Sequence, residues 1–293
     1  MADIQRIEHA KVHVRDLDVA LAFYTDAMGL VEVDRTSETV YLGCGLDGNF
    51  DLAVSEGGTG IEHVAVRASD ATVVDDYEDR LSGRGVDVHR VDGDEPGQAA
   101  GVRFELPSGV PMEVVAVADG AYEHATASTD GRAGQAPSTL DHVQLFTPDV
   151  NEDLAFLRDV VGLRISDVGE TEEGAWRMAF TRVTDYHHDV ALFDDPDDSL
   201  HHLAWEMNDV SHLTAFADHL ASRGHRLEVS PVRHGPGSNV AAYFQEPGGN
   251  RFEITTEVET VDPDAEMVTH AAADVPFCVW GGQVPPESFR EGS

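Results

Sequence analysis

The chain has 293 residues, with 19 Lys+Arg against 55 Asp+Glu and a formal net charge of −36. That balance excludes nucleic acid and anionic membrane surfaces as partners, because both need a basic footprint. A hydrophobic content of 41% excludes a disordered acidic chain.

The length suggests two domains. No apolar run approaches the ~20 residues that span a bilayer. The first residues lack the apolar core of a signal peptide. Cys44 and Cys278 are too few for a disulfide framework. These features predict a cytoplasmic protein. Lys11 is the single lysine, and the carboxylate excess predicts a salt-rich cytoplasm that screens self-repulsion.

In chain order, Ile7-Glu8-His9 opens a strand, and Asp16 begins an apolar-periodic helix that ends at Gly29-Leu30. Short β-branched runs broken by Gly, Asp and Asn follow and read as strands and turns. Gly60 to Val66 is a strand carrying His63, Ser69 to Gly85 a second helix, and Phe104 to Glu113 a closing pair of strands. Asp119 to Thr139 is rich in Ala, Gly, Ser and Thr and reads as a linker.

The pattern then repeats. Leu140-Asp141-His142 matches Ile7-Glu8-His9, and Gly162-Leu163 matches Gly29-Leu30, both at an offset of 133. His202 follows His63 by 139 residues, the helix Asn208 to Gly224 ends in Arg-Gly as its counterpart does, and Glu253 follows Glu113 by 140. The expected organisation is an N-terminal domain (1–118), a linker (119–139), a C-terminal domain (140–257) and a tail (258–293) carrying Phe277, Trp280 and Phe289.

Each half thus supplies two histidines and a glutamate at matching strand positions: His9, His63 and Glu113, then His142, His202 and Glu253. Two neutral imidazoles and one carboxylate on one face of a metal suit non-haem Fe(II) with positions left open. Within His201-His202, strand alternation selects His202, which aligns with His63, and turns His201 away. His212, His219 and His225 lie on or beside the second helix and read as surface residues.

In the second half, His188-Asp189-Val190-Ala191-Leu192 precedes the histidine pair. Val232-Arg233-His234-Gly235 leads to Tyr243, Glu246-Pro247-Gly248-Gly249-Asn250 and Glu253. Over about residues 5–258 the chain resembles the vicinal oxygen chelate superfamily, and within it the two-module extradiol ring-cleavage dioxygenases of the catechol 2,3-dioxygenase kind. Ala242 departs from the pattern, which prefers a larger apolar residue there.

The resemblance implies an α+β fold of paired βαβββ modules forming two tandem open-barrel domains. It implies that His142, His202 and Glu253 hold the metal, Fe(II) first and Mn(II) second. His188 would be the acid/base, and His234 and Tyr243 would contact substrate or oxygen. The implied reaction inserts O2 into a catechol beside its hydroxyls and gives a ring-opened semialdehyde. It also suggests a homo-oligomer, tetramer or dimer.

In the HDVAL frame His188 is selected and His187 should point away. Phe50, Arg103 and Asp94 stand where His188, Tyr243 and His234 stand in the second half, so the first module is expected to be inert or vacant. Val229 holds the place where carboxylated-catechol enzymes of the family carry an arginine, which favours an uncharged catechol. Phe180, Trp176 and Trp205 are candidates for the pocket wall, with core packing the blander role for Trp205.

Two other classes remain open. One is an isomerase or lyase of the same superfamily, hinted at by Gln144. The other is a metal-free binding protein, which has no need of Glu253 beside two histidines.

Overall fold

The computed structural model describes residues 3–46, 48–118 and 131–293. The first half supplies β1 (Ile4–Val14), β2 (Val31–Arg35), β3 (Thr39–Gly43), β4 (Leu52–Glu56), β5 (Gly60–Ala68), β6 (His89–Val91), β7 (Gln98–Glu105) and β8 (Pro111–Val117). The second supplies β9 (Leu140–Thr147), β10 (Arg164–Glu170), β11 (Trp176–Arg182), β12 (Val190–Asp194), β13 (Ser199–Glu206), β14 (Leu227–Arg233), β15 (Val240–Gln245) and β16 (Arg251–Thr256). The tail adds β17 (Val268–Ala271). Helices α1 (Leu17–Ala22), α2 (Ala71–Ser82), α3 (Val150–Phe156) and α4 (Val210–Ser222) follow β1, β5, β9 and β13.

The eight-stranded sheet runs β2-β3-β4-β1-β5-β8-β7-β6. The nine-stranded sheet, read from its other edge, runs β17-β10-β11-β12-β9-β13-β16-β15-β14. Without β17 the two orders are the same, so the internal repeat is one topology used twice. Each sheet joins two βαβββ modules where β1 meets β5 and β9 meets β13, both antiparallel. This is the expected fold class.

The helix ends follow the residues named from sequence. Asp16 caps α1 through its side chain to the Val19 amide, and Asp149 caps α3 through the Asn151 and Glu152 amides. Each such cap stabilises a helix by about 1 kcal/mol. Both helices continue into a wider π turn, Phe23–Met28 and Leu157–Val161, which stops at Gly29 (φ 80°) and Gly162 (φ 91°). Left-handed backbone there is why glycine recurs.

The hydrophobic core is continuous across both halves, from Val12, Tyr24 and Val64 to Leu145, Trp205 and Phe252. Hydrogen bonds also join the halves. The Tyr77 hydroxyl donates to the Val161 carbonyl, and Asn250 accepts from the Gly60 amide (2.8 Å) while donating to the His13 carbonyl (2.8 Å). The second sheet is therefore braced by the first rather than strung beside it.

Residues 119–130 of the expected linker lie outside the described residues. The tail wraps the second sheet: β17 pairs with β10, and Ser293 exchanges backbone hydrogen bonds with Leu200. Among the described residues no helix is long and apolar enough to cross a membrane.

Candidate active site

Three adjacent central strands, β9, β13 and β16, bring His142, His202 and Glu253 together. In the ladder Ala204 is the partner of both His142 and Glu253, and His202 lies two residues away on the same strand face. A methyl group between two long side chains leaves room for them to converge. His202 Nε2 lies 3.0 Å from Glu253 Oε2 and 3.4 Å from His142 Nε2, and His142 Nε2 lies 3.6 Å from the same oxygen. All three residues are buried, each no more than 2% exposed.

The hydrogen bonds behind these atoms determine what they present. His142 Nδ1 lies 2.5 Å from Asp141 Oδ2 and donates to it, so Nε2 carries the lone pair. His201 Nε2 donates to the Phe289 carbonyl (2.7 Å), which leaves His201 Nδ1 to accept from His202 Nδ1 at 2.6 Å. His202 Nε2 therefore also presents a lone pair. Asn239 donates to Glu253 Oε1 (3.1 Å) and leaves Oε2 facing the histidines.

Three ligand atoms turned toward one another inside a protein call for a cation at their centre: a proton on His142 in the metal-free protein, a metal in the loaded one. A divalent metal fits this donor set, with second-sphere partners already placed. The charges agree. Burial depresses His142, but Glu253 and Asp141 outweigh it and hold the imidazole up at about 10. Burial raises Glu253, but the two histidines outweigh it and pull the carboxyl well below its ordinary range. Metal uptake at neutral pH should accordingly release a proton.

The cluster forms part of the lining of a cavity of about 590 Å³. His188, His234 and Tyr243 line it too, so all six residues singled out in the second half come together. The His188 ring packs on His142 with centroids 4.2 Å apart. Burial pushes His188 well below the usual imidazole range, as do the neighbouring His142 and His187. His234 Nδ1 donates to the Phe277 carbonyl (2.9 Å), so its Nε2 accepts from the Tyr243 hydroxyl (2.7 Å). Burial, with Glu253 adding to it, holds the Tyr243 hydroxyl protonated far above its ordinary range.

Phe146, Met178, Phe180, Phe193, Phe277 and Phe289 supply the apolar wall. Trp176 and Trp205 do not line it; Trp205 is buried in the core and Trp176, half-buried, packs against it. Of the tail residues, Phe277 and Phe289 reach the cavity, while Trp280 is 57% exposed and sits beside Arg233.

One expectation is corrected. His201 is not turned away: the ladder shifts register between Leu200 and His202, alternation breaks, and His201 lies buried on the cavity wall beside His202. His187 and His188 precede β12, where pleating does not apply. His187 does not line the cavity, yet its Nδ1 is 3.0 Å from His188 Nδ1. Sequence reasoning missed the role of His201, because its signal depends on a carbonyl 88 residues away. His201→Ala is expected to weaken metal binding by about 10- to 100-fold with the fold intact, measured by competition with a chelator.

In the first module, Phe50 packs on His9 (4.5 Å between centroids) as His188 packs on His142, and Arg103 donates to Glu113 (2.7 Å) from the register position of Tyr243. Asp94 is exposed; the neighbouring Glu95 turns inward instead.

The family description that matches residues 6–114 and 139–254 is Glyoxalase/Bleomycin resistance protein/Dioxygenase superfamily. A manganese-dependent 2,3-dihydroxybiphenyl 1,2-dioxygenase of Geobacillus genomosp. 3 is 28% identical over 91% of this chain and 90% of its own. A metapyrocatechase of Geobacillus stearothermophilus is 26% identical over 98% of this chain and 92% of its own. Among solved structures, an anaerobic substrate complex of homoprotocatechuate 2,3-dioxygenase from Brevibacterium fuscum superposes with a TM-score of 0.90 at 27% identity. It covers 99% of this chain and 93% of that one.

Proposed function

The chain belongs to the glyoxalase/bleomycin resistance protein/dioxygenase superfamily, and from that premise we propose that it is an extradiol dioxygenase, inserting O2 into a catechol to give a 2-hydroxymuconic-semialdehyde-type product. The observation that carries the reading is the convergence of two imidazoles and one carboxylate in a largely apolar cavity, with His188, His234 and Tyr243 around it. The superfamily's isomerases and lyases use a fourth protein ligand or a second carboxylate base at the metal, which this three-residue cluster lacks among the described residues, and a binding protein needs no triad.

In this reading His142, His202 and Glu253 hold Fe(II), with Mn(II) the alternative that the same ligands suit. When bound, the metal supplies open positions for the catechol oxygens and dioxygen and a path for electrons between them. The protein's own groups do the rest. His188, neutral because it is buried among other imidazoles, accepts a catechol hydroxyl proton and returns it to the product. Tyr243 keeps its proton and offers it to developing negative charge, with His234 as its resting acceptor. The phenylalanine wall excludes water from the reacting ring.

The substrate is an uncharged catechol or alkylcatechol. Val229 packs behind Tyr243 and brings no cation; of the two arginines at the cavity edge, Arg177 is paired with Asp194 (3.1 Å) and Arg290 is exposed to solvent. Anaerobic purification, addition of Fe(II) and catechol, and measurement of oxygen uptake with a yellow product test the proposal. Absence of uptake across several catechols, with iron bound, overturns it.

Residues 1–118 serve as a bracing domain and 140–257 as the catalytic one, in a cytoplasmic homo-oligomer, tetramer or dimer. Most of the acidic runs are solvated: Asp75, Asp76, Asp197 and Asp198 are exposed, whereas Asp194 and Asp195 are half-buried at the cavity edge. The melting temperature is therefore expected to rise as KCl is raised from dilute buffer to molar levels, because screening relieves self-repulsion. A flat salt profile in thermal melts removes the salt-adapted part and leaves the enzymology untouched.

A further inference from the structure

The first module carries a second cluster that the dioxygenase reading does not use. His9, His63, Glu95 and Glu113 are all buried, with one ligand atom from each lying within 4.8 Å of the others. His9 Nε2 is 2.9 Å from Glu95 Oε2 and 3.2 Å from His63 Nε2, and His63 Nε2 is 3.4 Å from Glu113 Oε2 and 3.7 Å from Glu95 Oε2. Atoms about 2.1 Å from a metal stand about 3.0 Å apart at octahedral angles and about 3.4 Å apart at tetrahedral ones. Three of these four separations lie in that range, and the fourth, His63 Nε2 to Glu95 Oε2, is somewhat longer.

Two further features bear on the site. Glu95 is 6% exposed, and neither carboxylate oxygen has a hydrogen-bond partner although both are sealed from water. Its compensation comes from ion contacts alone, Oε2 with His9 (2.9 Å) and Oε1 with Arg103 (3.3 Å), to which a metal at the centre would add. Glu113 resembles Glu253 in one respect: Gln98 donates to its Oε1 at 2.6 Å, as Asn239 donates to Glu253 Oε1, while its Oε2 faces His63 (3.4 Å) and also accepts from Arg103 (2.7 Å). Ala65 pairs with both His9 and Glu113, the counterpart of Ala204.

We propose that the first module binds its own divalent metal, Zn(II) by donor type, through His9, His63, Glu95 and Glu113, as a closed structural site. It has four protein ligands where the catalytic cluster has three, and four N/O ligands complete a zinc shell. Phe50 occupies the place of the acid/base and Arg103, bonded to Glu113, that of the tyrosine. A neighbouring groove of about 490 Å³ is lined by Arg103 but by none of the four ligands. The Nδ1 atoms of His9 and His63 have no hydrogen-bond partner, so this ion is held less firmly than the catalytic one.

The test is a metal count on the purified full-length chain. Two equivalents per chain are expected. His63→Ala and Glu95→Gln should each retain one, with ring-cleavage activity kept. His142→Ala should also retain one, and Zn(II) added to chelator-treated His142→Ala protein should raise its melting temperature by about 5 °C or more. Doubling the variant, His142→Ala with Glu95→Gln, should abolish that rise. One equivalent in the unmodified chain, with no zinc-dependent rise in His142→Ala, overturns the proposal and makes the cluster a metal-free charge network. The readout in His142→Ala is independent of catalysis, so it stands or falls apart from the dioxygenase reading.

Discussion

Changing His142 to alanine is expected to remove the catalytic metal and to lower kcat/KM by roughly 10⁴-fold or more, about 5 kcal/mol of transition-state stabilisation. The reason is geometric. His142 supplies one of three converging lone pairs, and Asp141 holds the ring so that Nε2 is the atom presented. Asn239 still pairs with Glu253 in the variant, so the carboxylate is not orphaned and the sheet should stay folded. Metal analysis, circular dichroism and oxygen uptake on one preparation separate these effects. Retained catalytic iron with lost activity, or retained activity, would overturn the ligand assignment.

His188→Ala is expected to do the opposite to the metal and nearly the same to the rate. Iron should remain, since His188 packs on His142 without entering the triad, while kcat falls by about 10²- to 10⁴-fold, the usual contribution of a positioned acid/base. The pH profile adds a second readout. Burial, with His142 and His187 beside it, depresses His188, so its neutral form persists as pH falls through 6.5. The acidic limb of the kcat profile in the unmodified enzyme should lie below that point and should disappear in the variant. An acidic limb at or above pH 6.5 that survives in His188→Ala would assign the acid/base role elsewhere.

Much of the site was legible because the chain states it twice. Recurrence of His9 as His142 (offset 133), His63 as His202 (139) and Glu113 as Glu253 (140) identified the candidate ligand positions without any local motif. The cap aspartates Asp16 and Asp149 and the glycines Gly29 and Gly162 delimited their helices because caps and left-handed turns are local chemistry.

Alternation along a strand, by contrast, assumed an unbroken pleat. It failed at His201, where a register shift intervenes, and could not apply at His188, which precedes its strand. Projection through the repeat landed on Asp94, one residue from Glu95, the side chain that turns inward.

Taken alone, the sequence determined the repeated topology and the three strands that carry the candidate ligands, which follow from short-range pattern and repetition; His188, His234 and Tyr243 came only from the family resemblance. The tertiary structure decided which nitrogen each histidine presents, through partners such as the Phe289 carbonyl. It also decided that the tail's Phe277 and Phe289 form part of the cavity wall, and that Glu95 joins the first module's cluster. Those outcomes depend on contacts between segments far apart in the chain, and such contacts exist only once the two sheets have curled and the tail has closed over the second.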